Sequence, residues 1–122
     1  MTWTYKAKTG SLFHDGDFVT VGYSGRGEGL NNPDMEGVHN VGPIPRGEWS
    51  IGPAFHHPAK GPVVMRLTPK EGTETFGRDA FLIHGDSVAH PGEHLASEGC
   101  IIIDRPTRRG IANSDDDALE VV

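Results

Sequence analysis

The chain has 122 residues, enough for one modest core, and its 17 glycines and nine prolines disfavour long helices. Eleven basic against 17 acidic residues leave a formal net charge of −6. That balance excludes the electrostatic footprint of a nucleic-acid binder or of a protein adhering to an anionic membrane. A lone cysteine also rules out an internal disulfide.

Residues 1–122 carry no internal repeat and no composition break, so a single domain is expected. "TWTYKAK", Thr2 to Lys8, alternates around Trp3 and Tyr5 and predicts a half-buried strand. Turns follow at Gly10 and at Asp15-Gly16, and "DFVTVGYS", Asp17 to Ser24, alternates again, which predicts antiparallel hairpins. Residues 25–42 break the pattern as a long glycine-rich loop, and loops of that length tend to be functional. A strand is expected near Glu48 to Ile51. Further strands are expected over Pro62 to Pro69, Ala80 to Gly85, Gly99 to Asp104 and Ala118 to Val122. "RPTRRGIANS", Arg105 to Ser114, is the best helix, with Pro106 suited to a first turn. The acidic block Asp115 to Asp117 reads as a solvated turn. The sum is a mostly β fold with one short helix.

The chemistry concentrates in "FLIHGDSVAHPGEHLASEGCIII", Phe81 to Ile103. His84 ends one apolar run and Cys100 begins another. If the two strands are neighbours, both side chains can meet at one end of the sheet. The polar loop between them is longer than a plain hairpin needs. A thiol is a weak nucleophile until deprotonated, and a nearby imidazole can take its proton to give a thiolate–imidazolium pair. Gly99 permits close approach of substrate to the backbone. The Cys100 N–H, with a Ser97 hydroxyl, could face a developing oxyanion. The residues thus suggest a Cys–His acyl-transfer site. Two other readings stand beside it. Cys100 and His84 can be ordinary core residues of a non-catalytic module. Alternatively, His84, Asp86, His90, His94 and Cys100 include three ligands for a zinc-dependent hydrolase; the acyl-transfer reading calls for neither metal nor other cofactor.

At these residues the sequence resembles the L,D-transpeptidases, which carry a histidine and, after a similar gap, Ser/Thr-His-Gly-Cys. Here His84 precedes Ser97-Glu98-Gly99-Cys100, and "PRGEWSI", Pro45 to Ile51, is similar to a strand of that fold. The ordered words "GYSG", "NNP", "NVGPIPRG", "LTP", "FGR", "FLIHGD", "PG" and "SEGCIII" more closely resemble a subfamily used as antibacterial effectors of type VI secretion systems. The resemblance runs from about Tyr23 to the C-terminus. It implies a compact L,D-transpeptidase-like β-sandwich or barrel and a cysteine enzyme acting on peptidoglycan. Cys100 matches the nucleophile and His84 the base, with Gly99 and Ser97 flanking the oxyanion site. The implied reaction attacks the meso-diaminopimelate carbonyl of a tetrapeptide stem, releases D-alanine, and resolves the thioester with water or a D-amino acid. Glu98 and Ile102 depart from the wider pattern, where histidine and often arginine stand. The substrate carboxylates then fall to Arg78, Arg105, Arg108 or Arg109. Asp86 is a candidate to orient His84, a task a backbone carbonyl would serve equally. The implied partners are the secretion machinery and a cognate immunity protein. The absence of an N-terminal signal segment fits synthesis in the cytoplasm and export by that machinery to a target-cell periplasm.

Overall fold

The computed structural model describes residues 1–122. Ten strands are β1 (Trp3–Tyr5), β2 (Ser11–His14), β3 (Asp17–Val21), β4 (Tyr23–Ser24), β5 (Gly47–Ile51), β6 (Phe55–His57), β7 (Gly61–Pro69), β8 (Leu82–His84), β9 (Ile101–Ile102) and β10 (Ala118–Val121). The one α-helix, α1, spans Arg105–Asn113. Asp104 caps it by accepting from Thr107 N–H, and Pro106 occupies its first turn, where a missing N–H costs nothing. No helix is long and apolar enough to cross a membrane.

The strands join in the order β3-β2-β1-β10-β5-β7-β8-β9-β4, with β6 paired to β7. The two ends of this path, β3 and β4, are consecutive in sequence. The sheet therefore curls into a nearly closed barrel. The expected strand Asp17 to Ser24 breaks at Gly22, where the chain leaves β2 and turns to β9. Sterics explain why glycine stands there: a Cβ on Gly22 would lie 2.0 Å from Ile102 O, and one on Gly10 would lie 2.0 Å from Gly22 O. Gly22 N–H donates to Gly10 O at 2.8 Å and pins the corner. The first strand is shorter than expected, Trp3–Tyr5, because the chain enters the Lys6–Gly10 turn.

Alternate side chains of these strands fill the interior. Tyr5, Ile44, Trp49, Met65 and Ile101 have no exposed surface, and Trp49 meets Phe81 edge to face at 5.1 Å between ring centres. Residues 25–42 contain two short 3-10 turns, Gly27–Gly29 and Pro33–Met35, the second capped by Asn32. The acidic block is not wholly solvated. Asp116 is buried, accepts from His14 Nε2 at 2.9 Å and from Ala118 N–H, and so ties β2 to the start of β10.

Candidate active site

β8 and β9 are neighbours, as the Cys–His reading requires, but they run parallel, with Ile83 opposite Ile101 and His84 opposite Ile102. A parallel pair needs a crossover, which accounts for the long connection from Gly85 to Gly99. His84 and the residue before β9, Cys100, are therefore staggered by two positions rather than level. Both line a single cleft of about 510 Å³. Its walls also include Phe81, Leu82, Leu95 and Gly99, with Arg26, Lys60, Arg78, Asp79 and Glu98 as its charged members.

His84 is buried, and its Nδ1–H donates to the Gly85 carbonyl at 2.8 Å. A carbonyl only accepts, so the neutral ring carries its proton on Nδ1 and its lone pair on Nε2. Nε2 has no hydrogen-bond partner. Burial pushes the imidazole down to about 4. The Gly85 carbonyl opposes this, while the charges of Lys60 and Arg108 add to it. Cys100 is partly buried, and its Sγ makes a long contact to Ala80 O at 3.8 Å. Burial pushes its thiol up, against the pull of Leu82 N–H, Lys60 and Arg78. Both directions favour the uncharged forms. At neutral pH the site rests as thiol and imidazole rather than as an ion pair.

The segment before Cys100 is clamped by three side chains. Ser97 is fully buried; its hydroxyl donates to Cys100 O at 2.6 Å and accepts from Gly25 N–H at 2.8 Å and Gly99 N–H at 3.1 Å. Its hydrogen is thus taken, so Ser97 shapes the turn instead of offering a donor to an oxyanion. Ser24 donates to Gly99 O and accepts from Ile44 N–H. Gly99 has φ +137°, and a Cβ there would lie 2.5 Å from Arg78 Nη2. No loop carbonyl or side chain accepts the Cys100 N–H.

Arg78 is the third clamp. Nη1 donates to Glu36 O and Pro43 O, and Nη2 to Gly42 O and Glu98 O, so all four terminal N–H bonds meet backbone carbonyls. It joins residues 36–43 to the segment that precedes Cys100 and has no terminal pair left to fork a carboxylate. Its charge nevertheless remains beside the cleft, without a carboxylate partner.

The remaining sequence candidates lie elsewhere. Asp86 makes no hydrogen bond to His84. It accepts from Tyr23 Oη at 2.6 Å, Ser87 N–H and Gly92 N–H, and so braces residues 86–97. Asp86, Arg105 and Arg108 line a second cleft, of about 390 Å³, that also holds His94 but not Cys100. Arg108 is buried and donates to Pro62 O and Val63 O at 3.0 Å, while Arg109 is exposed on α1. The five residues of the zinc reading do not converge: His90 pairs with Glu93, and Asp86 and His94 are in the second cleft. Sequence reasoning missed Lys60, at the turn between β6 and β7, and Arg26, whose Nη1 lies 3.6 Å from Glu98 Oε1. Arg26 follows "GYSG", a signal that it belonged near the site; a single lysine in a turn gives none.

No curated protein and no solved structure matched the chain. A family model, the Tlde1 domain, matches residues 19–118. That span takes in the barrel corner at Gly22, the whole of the cleft and both of its candidate reacting groups. The chain belongs to the Tlde1 domain family of type VI secretion effectors, a family that fits an antibacterial toxin.

Proposed function

We propose that residues 1–122 act as one catalytic domain, a cysteine acyl-transferase of the L,D-transpeptidase type. Its substrates are the tetrapeptide stems of peptidoglycan, with L,D-carboxypeptidase and D-amino acid exchange as outcomes. The observation that carries this reading is His84. Its Nδ1 is held by Gly85 O, its Nε2 lone pair is unpartnered, and it shares a cleft with the only thiol of the chain.

The resting state sets the order of events. Sγ of Cys100 attacks the carbonyl of the third stem residue as its proton passes to Nε2 of His84. An oxyanion forms at that carbonyl, beside the free Cys100 N–H and the charge of Arg78. The C–N bond then breaks, and the proton on Nε2 moves to the departing amine, so that D-alanine leaves and a thioester remains on Cys100. Water or the amine of a free D-amino acid attacks the thioester, gives its proton to Nε2, and the sulfur recovers that proton on release. Because the thiol is held protonated and the imidazole neutral, proton transfer accompanies attack; a standing thiolate is not needed.

Membership of a type VI effector family supports association with that secretion machinery. Wall stems are reached from the periplasm of a target cell, and an immunity protein would guard the producer. The test is direct. Purified protein incubated with disaccharide tetrapeptide releases D-alanine, and Cys100→Ala, which retains the wild-type melting temperature, does not. Equal release by the variant rejects the assignment.

A further inference from the structure

We propose that Lys60 is the anchor for the α-carboxylate of the D-amino acid that leaves the scissile bond, and for the one that enters in exchange. The inference rests on the acyl-transfer reading above and gives that site its selectivity for a free C-terminal residue.

The first support is elimination. Among the cations of the cleft, Arg78 has its four terminal N–H bonds on carbonyls, and Arg26 faces Glu98. Arg105 and Arg108 belong to the other cleft. Lys60 is exposed, lines the reaction cleft with His84 and Cys100, and takes part in no ion pair. Unlike Arg78, whose charge is also unpaired but whose terminal N–H bonds are all taken, it has donors free for a ligand.

The second support is placement. Lys60 sits at the tip between β6 and β7, and the tip is held from within. His57 Nδ1 accepts from both Ala59 N–H and Lys60 N–H at 3.0 Å. After burial, which dominates at both groups, the Lys60 charge favours neutral imidazole at His84 and thiolate at Cys100. The reaction puts a carboxylate in that same region. The leaving amine must lie beside His84 Nε2 to receive its proton, and the α-carboxylate of a C-terminal residue is one carbon from that amine. An ammonium on a long stem suits a compact charge approached from several angles. By microscopic reversibility the slot that releases D-alanine also seats an incoming D-amino acid. Cross-linked stems, whose terminal carboxylate is an amide, lack the group Lys60 holds.

Iodoacetate and iodoacetamide test this without peptidoglycan. Both alkylate a thiol, and only the first brings a carboxylate to the carbon next to the one attacked. In wild-type protein the ratio of the two Cys100 alkylation rates is expected to favour iodoacetate over a free thiol standard. Lys60→Gln should lower the ratio about two- to fivefold, the effect of one exposed charge pair. Lys60→Arg should keep most of it. An unchanged ratio in Lys60→Gln overturns the proposal. A second arm compares tetrapeptides ending in D-alanine and in D-alaninamide. Wild type should prefer the free acid, and Lys60→Gln should lose that preference. Equal discrimination by both proteins overturns the role of Lys60 alone. Failure of wild type to cleave either peptide rejects the acyl-transfer reading, and this inference with it.

Discussion

Replacing Ser97 with alanine separates two roles for its hydroxyl. If Ser97 builds the turn that presents Cys100, its loss must appear in stability. Its oxygen serves two buried N–H groups, those of Gly25 and Gly99, and the carbonyl of Cys100. An alanine leaves all three without that partner. A buried polar group that loses its partner costs about 1–3 kcal/mol. The two N–H groups then cost about 2–6 kcal/mol together, and the carbonyl, on a partly exposed residue, adds less. A loss of about 4 kcal/mol shifts the urea midpoint by roughly 2 M at a slope of about 2 kcal/mol per M. Urea titration followed by circular dichroism measures it. A variant whose midpoint stays within about 0.3 M of wild type, yet which has lost activity, would refute the reasoning. That result would return Ser97 to the role of an oxyanion donor.

Other outcomes follow from the same geometry. The folded imidazole of His84 titrates at about 4 against about 6.5 when unfolded, so between those values the unfolded chain binds more protons. Stability should therefore fall as pH drops from 6.5 to 4, by a total on the order of 3 kcal/mol, and His84→Gln should lack this component in pH-dependent urea titrations. Iodoacetamide alkylation of Cys100 should keep accelerating past pH 9, because burial raises the thiol; a plateau by pH 7 would show a preformed thiolate. Arg78→Lys should increase amide hydrogen exchange at residues 36–43 and 97–100 together, since three ammonium donors cannot serve four carbonyls; exchange confined to one segment would contradict the clamp. Gly10→Ala should prevent soluble folding, while Gly16→Ala, whose Cβ would meet open space at a similar positive φ, should cost only about 1 kcal/mol.

Much of the architecture was legible because it is local. Short runs rich in apolar residues and bounded by glycine or proline marked β5, β7, β8 and β9, and Pro106, suited to a first helical turn, marked α1. Partners were less legible than strands. Nothing near His84 or Cys100 states that β8 and β9 pair in parallel, since that depends on where residues 86–97 cross over. β6 escaped notice because "FHH" between prolines is not strongly β-forming; its pairing with β7 makes it a strand. At the site, His84 and Cys100 stood out through the ends of apolar runs and a unique thiol. The partners of Arg78 did not, because all four are backbone carbonyls and carry no residue signature. Lys60 was hidden for a related reason. Its relevance comes from the cleft that β7 and β8 bring beside its turn.

The account turns on a thioester at Cys100 formed with His84 as base. Peptide mapping by mass spectrometry after rapid quenching of wild-type protein with tetrapeptide substrate reads it most directly. The predicted result is an adduct on the peptide containing Cys100, equal in mass to the substrate less D-alanine, sensitive to hydroxylamine, and absent from Cys100→Ala and His84→Ala. D-alanine released with no adduct at Cys100 in the wild type, and undiminished in Cys100→Ala, would contradict it.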